Sequence, residues 1–179
     1  MTGYLHIAIS RLAWLDAPVI AEVNGAAAGA GLSLAACCDL VIASDTAKFT
    51  SAYTRIGLTP DGSSTYFLTR VIGRRRALEM YLTNRTITAQ EALDWGLVNR
   101  VVPSADLNKE VDQLAKDIAA GPTLAHGGVK RLVLMSPNDT LESQMERETR
   151  EITRMVGTED AQNGIAAFVG KQKPIFEGR

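Results

Sequence analysis

Cysteine is scarce in this 179-residue chain, and the two present, Cys37 and Cys38, are adjacent within an apolar stretch. Neighbouring cysteines cannot build an ordinary disulfide framework, and they lack the spacing of a metal-binding pair. The expectation is two thiols in a reducing, cytoplasmic setting, with no metal. No run approaches the roughly 18 apolar residues that span a bilayer, and the N-terminus lacks a basic-then-apolar leader, so neither a membrane span nor a secretory signal is expected. Neither sign of charge dominates: 19 Lys and Arg against 20 Asp and Glu leave a formal charge of -1. The positive residues are dispersed, unlike the footprint of a nucleic-acid binder. Their one cluster, Arg74-Arg75-Arg76, falls where a helix would begin. It reads as a solvated face or as an attraction for an anionic group such as a nucleotide phosphate.

What the chain does have is alternation of strand-like and helix-like segments. Tyr4 to Leu15 has near-helical apolar spacing and is stopped by Asp16-Ala17-Pro18. Val19 to Val23 is a short apolar run rich in β-branched residues and reads as a buried strand. Leu32 to Cys38 reads as a helix, Asp39 to Ala43 as a second strand and Lys48 to Thr50 as a short third. Gly57 to Thr65 is a loop by composition, followed by helices over Tyr66–Val71 and Arg74–Leu82. Thr88-Ala89-Gln90-Glu91 is a capping box opening the helix that ends at Trp95-Gly96, and Val98 to Val102 reads as a last strand. Beyond it the chain turns helical over Leu107–Ala120, Thr123–Met135 and Thr140–Val156, the last opened by the box Asp139-Thr140-Leu141-Glu142. That helix is highly charged with a thin apolar stripe at Leu141, Met145, Ile152 and Met155/Val156, a pattern that commonly lies across an assembly surface. The alternation argues an α/β fold: a core over residues 1–103 and a helical oligomerisation region over residues 104–179.

The run Val23-Asn24-Gly25-Ala26-Ala27-Ala28-Gly29-Ala30-Gly31 joins a strand to an apolar helix and offers mostly backbone polar groups. Such a junction can aim N–H groups at a negative oxygen, or can simply permit close helix–strand packing. The dinucleotide fingerprint is excluded because Gly29-Ala30-Gly31-Leu32-Ser33-Leu34 lacks its third glycine. The phosphate-binding P-loop is excluded by the absence of a following Lys-Ser/Thr pair, and the nucleophile elbow because Ser33 is not flanked by the required glycines.

Taken together, Pro18-Val19-Ile20-Ala21-x-Val23-Asn24-Gly25-x-Ala27-x-Gly29-x-Gly31, Asp39, Ile56-Gly57-Leu58-x-Pro60-Asp61-Gly62-x-x-Thr65, Thr83-Asn84-Arg85, Glu91-Ala92-x-x-Trp95-Gly96-Leu97-Val98 and the tail Gly164-Ile165-Ala166-Ala167-Phe168-x-x-Lys171-x-Lys173-Pro174-x-Phe176 resemble the crotonase family, the enoyl-CoA hydratases and isomerases. The resemblance covers nearly the whole chain, in order and spacing. It implies a spiral of ββα units with a C-terminal helical trimerisation region. It also implies an acyl-CoA thioester as substrate, no separate cofactor, and a homotrimer or dimer of trimers. Relatives carry earlier strands ahead of the Tyr4 helix, including part of the coenzyme A site and one oxyanion donor; the expectation is a fragment or a shortened product.

Residue by residue, the resemblance places an oxyanion donor at the N–H of Ala30. The paired glutamates of the hydratases fall at Ser33 and Tyr53, neither a carboxylate, which disfavours simple hydration. Asp61 matches the aspartate of ring-forming and double-bond-shifting isomerases, although by composition alone it reads as a turn or helix-cap residue. The resulting expectation is an isomerase acting through a thioester enolate. A rival is an aryl-CoA dehalogenase in which Asp61 attacks a ring and His6 activates water; its aspartate-positioning tryptophan is Tyr53 here. A third reading is a non-catalytic acyl-CoA-binding protein. Phe168 and Lys171 align with residues that help bind coenzyme A from a neighbouring subunit, and His126 carries no motif.

Overall fold

The computed structural model describes residues 2–179. The first helix, α1, runs Thr2–Trp14. The chain then lays down β1 (Ile20–Val23) and β2 (Ala26–Ala28), followed by α2 (Ala30–Cys37). A second pass gives β3 (Leu40–Ser44) and β4 (Lys48–Thr50), a 3₁₀ turn at Thr54–Ile56, then α3 (Ser64–Ile72) and α4 (Arg74–Thr83). After these come β5 (Thr86–Thr88), α5 (Ala89–Asp94) and β6 (Arg100–Val102).

Each of the first two passes contributes one strand to each of two three-stranded sheets, ordered β1-β3-β6 and β2-β4-β5. The first sheet is parallel throughout, with Ile20 opposite Leu40 and Ile42 opposite Arg100. In the second, β2 and β4 run parallel while β4 and β5 are antiparallel. This is the spiral ββα architecture. Parallel sheets are covered on both faces, which is why β3 is an uninterrupted run with Val41 to Ser44 all buried. Phe49, Leu32, Leu68 and Ile87 are fully buried in the main core. Each such side chain contributes on the order of 1.5–3 kcal/mol by leaving water.

Several elements differ from expectation. β2 and β5 are strands where a turn and a connector were read. Three-residue strands carry no periodicity of their own, and these exist because β4 lies between them. A further helix, α9 (Glu159–Val169), follows the charged one and is capped by the Thr158 hydroxyl. The cap of α8 (Leu141–Val156) is Thr140, which accepts from the Ser143 N–H, rather than the box beginning at Asp139. The box at Thr88–Glu91 forms in both directions. Of Val98 to Val102, only Arg100–Val102 pairs as a strand. Arg76 and Arg85 of the neighbouring helix and turn lie over the Trp95 ring at 5.1 and 5.2 Å.

The chain divides into two compact units. One comprises Val19–Asp112 with the first helix up to Ala13; the other comprises Gln113–Arg179 with Trp14–Pro18. The division falls after Asp112, within α6 (Leu107–Ala119), where residue 103 was the expected border. In the second unit, α7 (Thr123–Met135) packs on α8. Added Cβ atoms at Gly127 and Gly128 would meet Asp16 O and Glu151 Oε1, each at 2.7 Å, so close approach requires glycine at both. No helix among the described residues is long and apolar enough to cross a membrane.

Candidate active site

The turn between β2 and α2 depends on Gly29, whose φ of 53° and ψ of -117° suit no side-chain-bearing residue. Its N–H donates to Thr50 O at 3.2 Å and its carbonyl accepts from Ser33 N at 3.0 Å. Ala30 is the first residue of α2, so its N–H belongs to the set that a helix leaves without an internal acceptor, at the positive end of the helix dipole. One turn later Ser33 is fully buried. Its Oγ lies 3.2 Å from Gly29 O, 3.0 Å from Asp61 O and 3.1 Å from Tyr53 Oη.

Asp61 enters this cluster from the loop after the 3₁₀ turn. Tyr53 Oη donates to Asp61 Oδ1 at 2.7 Å. That assigns the phenolic proton, so the single hydroxyl proton of Ser33 is shared among three acceptors, Tyr53 Oη, Gly29 O and Asp61 O. Burial pushes the Tyr53 phenol above its ordinary value; its bond with Ser33 opposes the shift and Asp61 reinforces it. Tyr53 is therefore a persistent neutral donor, holding one carboxylate oxygen of Asp61. No hydrogen bond from a described residue reaches Oδ2.

The backbone under Asp61 is also fixed. Ser64 N donates to Asp61 O at 3.2 Å, closing a tight turn whose central residues, Gly62 and Ser63, have φ of 62° and 60°. Gly62 is buried: a Cβ there would sit 3.0 Å from Ser33 Cβ and 3.2 Å from Ile9 Cδ1, besides being strained by its positive φ. Gly62 N donates to His6 Nε2 at 3.1 Å, tying the loop to α1. Behind the turn, Ser64 Oγ and Tyr81 Oη bond at 2.8 Å and anchor the start of α3 to α4; burial raises the Tyr81 phenol.

Thus Ser33, Tyr53, Asp61 and His6, expected as site residues, lie in one hydrogen-bonded network, and Ser33 carries that network to the carbonyl just before Ala30. Phe168 and Lys171 belong to the other unit, at and just beyond the end of α9, both exposed and Lys171 with a φ of 52°. The Ser64–Tyr81 pair and Ser51, whose buried Oγ has no partner among the described residues, gave no advance signal. Cys37 is buried and Cys38 half-buried, each thiol directed at Leu34 O. Among the described residues no three His, Cys, Asp or Glu side chains gather as a metal site would require.

Residues 5–179 match the family model described as enoyl-CoA hydratase/isomerase. The chain is 40% identical over 169 residues to a 4-chlorobenzoyl coenzyme A dehalogenase of an Arthrobacter species, covering 94% of this chain and 61% of the relative. It is 40% identical over 172 residues to a 1,2-epoxyphenylacetyl-CoA isomerase of Escherichia coli, covering 96% and 65%. It also superposes on the crystal structure of an enoyl-CoA hydratase from a Polaromonas species with a TM-score of 0.92 at 37% identity, covering 97% of this chain and 67% of that one. The chain spans under two thirds of the length of these curated relatives.

Proposed function

This chain belongs to the enoyl-CoA hydratase/isomerase family, and on that premise we propose that it is an acyl-CoA isomerase with Asp61 as its acid/base. The observation that carries the reading is the lone carboxylate of the network: Asp61 with Oδ1 held by Tyr53 and Oδ2 open, where Ser33 and Tyr53 supply no second carboxylate. Hydration requires one group to activate water and another to manage the proton; moving a double bond requires one base that takes a proton and returns it.

In the proposed cycle Asp61 Oδ2 takes a proton from the carbon alpha or gamma to the thioester. The C–H electron pair moves into the chain as the thioester carbonyl becomes an enolate oxygen, which the Ala30 N–H stabilises at the N-terminus of α2. The protonated carboxyl then delivers the same proton to another carbon, and the carbonyl reforms. A shifted double bond results, with no atom gained or lost. One oxyanion donor is typically worth about 3–4 kcal/mol of transition-state stabilisation. Coenzyme A enters as part of the substrate, with Phe168 and Lys171 proposed to contact it and no separate cofactor. The exposed apolar positions on α7 and α8 support assembly as a homotrimer or dimer of trimers, and the cytoplasm is the proposed location.

Incubation with a 3-enoyl-CoA should produce the conjugated 2-enoyl product, followed by its absorbance. Asp61→Asn should lower kcat by about 10²–10⁴-fold. Full activity in that variant would remove Asp61 from its role. The second reading, hydrolytic dehalogenation by Asp61 and His6, is favoured by the identity to the Arthrobacter dehalogenase. It predicts halide release from a halobenzoyl-CoA. Against it, the Nε2 lone pair of His6 is already engaged by Gly62 N–H.

A further inference from the structure

We propose that His6 is a positioning residue that works only as neutral imidazole: its Nε2 lone pair clamps the Gly62 N–H and thereby sets the direction of the Asp61 carboxylate. The proposal rests on the reading of Asp61 as the acid/base. A backbone N–H can only donate, so the 3.1 Å contact assigns Nε2 as the acceptor and leaves the ring proton on Nδ1. The acceptor is supplied by another element, 56 residues away in sequence.

The clamp acts on a turn with little freedom of its own. Gly62 and Ser63 are both at positive φ, and Ser63 is not a glycine, so the turn is held in a conformation costly for that residue. Asp61 O is fixed by Ser64 N and Ser33 Oγ, and Asp61 Oδ1 by Tyr53. The bond to His6 is the hydrogen bond that joins the turn to α1. A proton on Nε2 would replace the acceptor with a donor facing a donor, and the tie would break.

Histidine is the side chain that ordinarily changes charge between about pH 5 and 8. His6 is an exposed residue of α1. The other ionisable residues of the elements meeting here are few. On α1 they are Tyr4 and Arg11; on the 3₁₀ turn and loop they are Tyr53, Arg55 and Asp61; α3, which starts at Ser64, carries Tyr66 and Arg70, and α2 contributes only Cys37 at its far end. Tyr53 is kept neutral by burial. Asp61 is the one that could imitate the effect of His6, and the test therefore includes its own variant.

The experiment uses the full 179-residue chain, with nitrogen-15 NMR of the Gly62 amide and steady-state isomerisation of a 3-enoyl-CoA measured from pH 5 to 8. In the wild type and in Asp61→Asn, the Gly62 amide resonance should move with the titration of the His6 ring. In His6→Gln, whose carbonyl accepts at a similar reach without titrating, that movement should vanish. His6→Ala should lose about tenfold or more in kcat at pH 8 with a smaller change in KM, as expected for a misaligned base. His6→Gln should restore most of that loss and flatten the acid limb of the profile. A Gly62 amide indifferent to His6 titration overturns the clamp whatever the activity. So does a kcat in His6→Ala at pH 8 equal to that of the wild type. If instead the amide behaves as expected while Asp61→Asn stays fully active, the clamp stands and the acid/base reading of Asp61 fails.

Discussion

The two compact units use their apolar residues in opposite ways. In the unit built on Val19–Asp112, Phe49, Leu32, Leu68, Met80 and Ile87 are fully buried between two sheets and their helices. In the unit built on Gln113–Arg179, Val133, Met145 and Ile152 are 65%, 55% and 65% exposed, and α8 has no buried residue. What fixes the second unit is polar: the Thr140 and Thr158 caps, the Arg147–Asp139 pair at 2.5 Å and Arg131 bridging Glu151 and Asp16. The buried Asp160 adds a strap, accepting from Glu177 N and Gly178 N at 2.7 and 2.9 Å. Exposed ion pairs contribute only about 0–1 kcal/mol each, and the apolar surface of this unit is the one the proposed assembly would cover. Packing holds a site to a fraction of an ångström; a cap-and-pair scaffold presents a surface.

The sharpest way to break this contrast is to cut into each unit alike. Phe49→Ala should cost about 3–5 kcal/mol, read by urea unfolding through Trp95, which packs against the same core. Ile152→Ala in the dissociated chain should stay within about 0.5 kcal/mol, because that side chain has little burial to lose. Equal losses would end the distinction. Ile152→Lys tests the proposed assembly: sedimentation should show a trimeric or larger mass for the parent chain and a mass falling toward a single chain for the variant, with the helical content kept.

Next in size is Gly62→Ala, which couples packing to the site itself. The new methyl meets Ser33 and Ile9 and carries an unfavourable φ, so a loss of about 2 kcal/mol is expected, with kcat falling further than stability implies. A variant as stable and active as the parent would mean that the Asp61 loop moves freely. The smallest effect belongs to Glu151→Gln. The Arg154 hydrogen bond, aided by Arg131, holds the Glu151 carboxyl below its ordinary value against the cost of its burial. Its stabilisation is therefore present above the carboxyl's unfolded-state value and fades as pH falls through the lower folded-state value. Thermal unfolding of the Gln variant should show a lower midpoint at neutral pH and a shallower decline on the acid side.

How much of this was legible in the sequence varied with the physics of each part. The strand at Val19–Val23, the Thr88–Glu91 box and the amphipathic helices carry local signals of burial or capping, and each forms close to where it was read. β2 is three alanines and β5 is Thr-Ile-Thr, too short for a period to register; their pairing with β4 makes them strands. At the site, Asp61 and Ala30 stood out through the resemblance of whole motifs. The Tyr53–Asp61 bond spans eight residues of irregular loop and the His6–Gly62 bond 56, and neither follows from any spacing rule.

The turn that begins α2 also sets what mutation can do there. Gly29 is held at a φ and ψ that no residue with a Cβ adopts comfortably, so every single-base change in its codon that alters the amino acid lands on a misfit. Ala30, its neighbour, contributes a backbone N–H and an exposed methyl, so nearly any substitution except proline leaves that donor in place. Two adjacent positions therefore have opposite mutational spectra. A deep mutational scan selected for activity should find Gly29 nearly invariant beside a permissive Ala30, and the part of the turn proposed to touch the substrate would be the one free to drift.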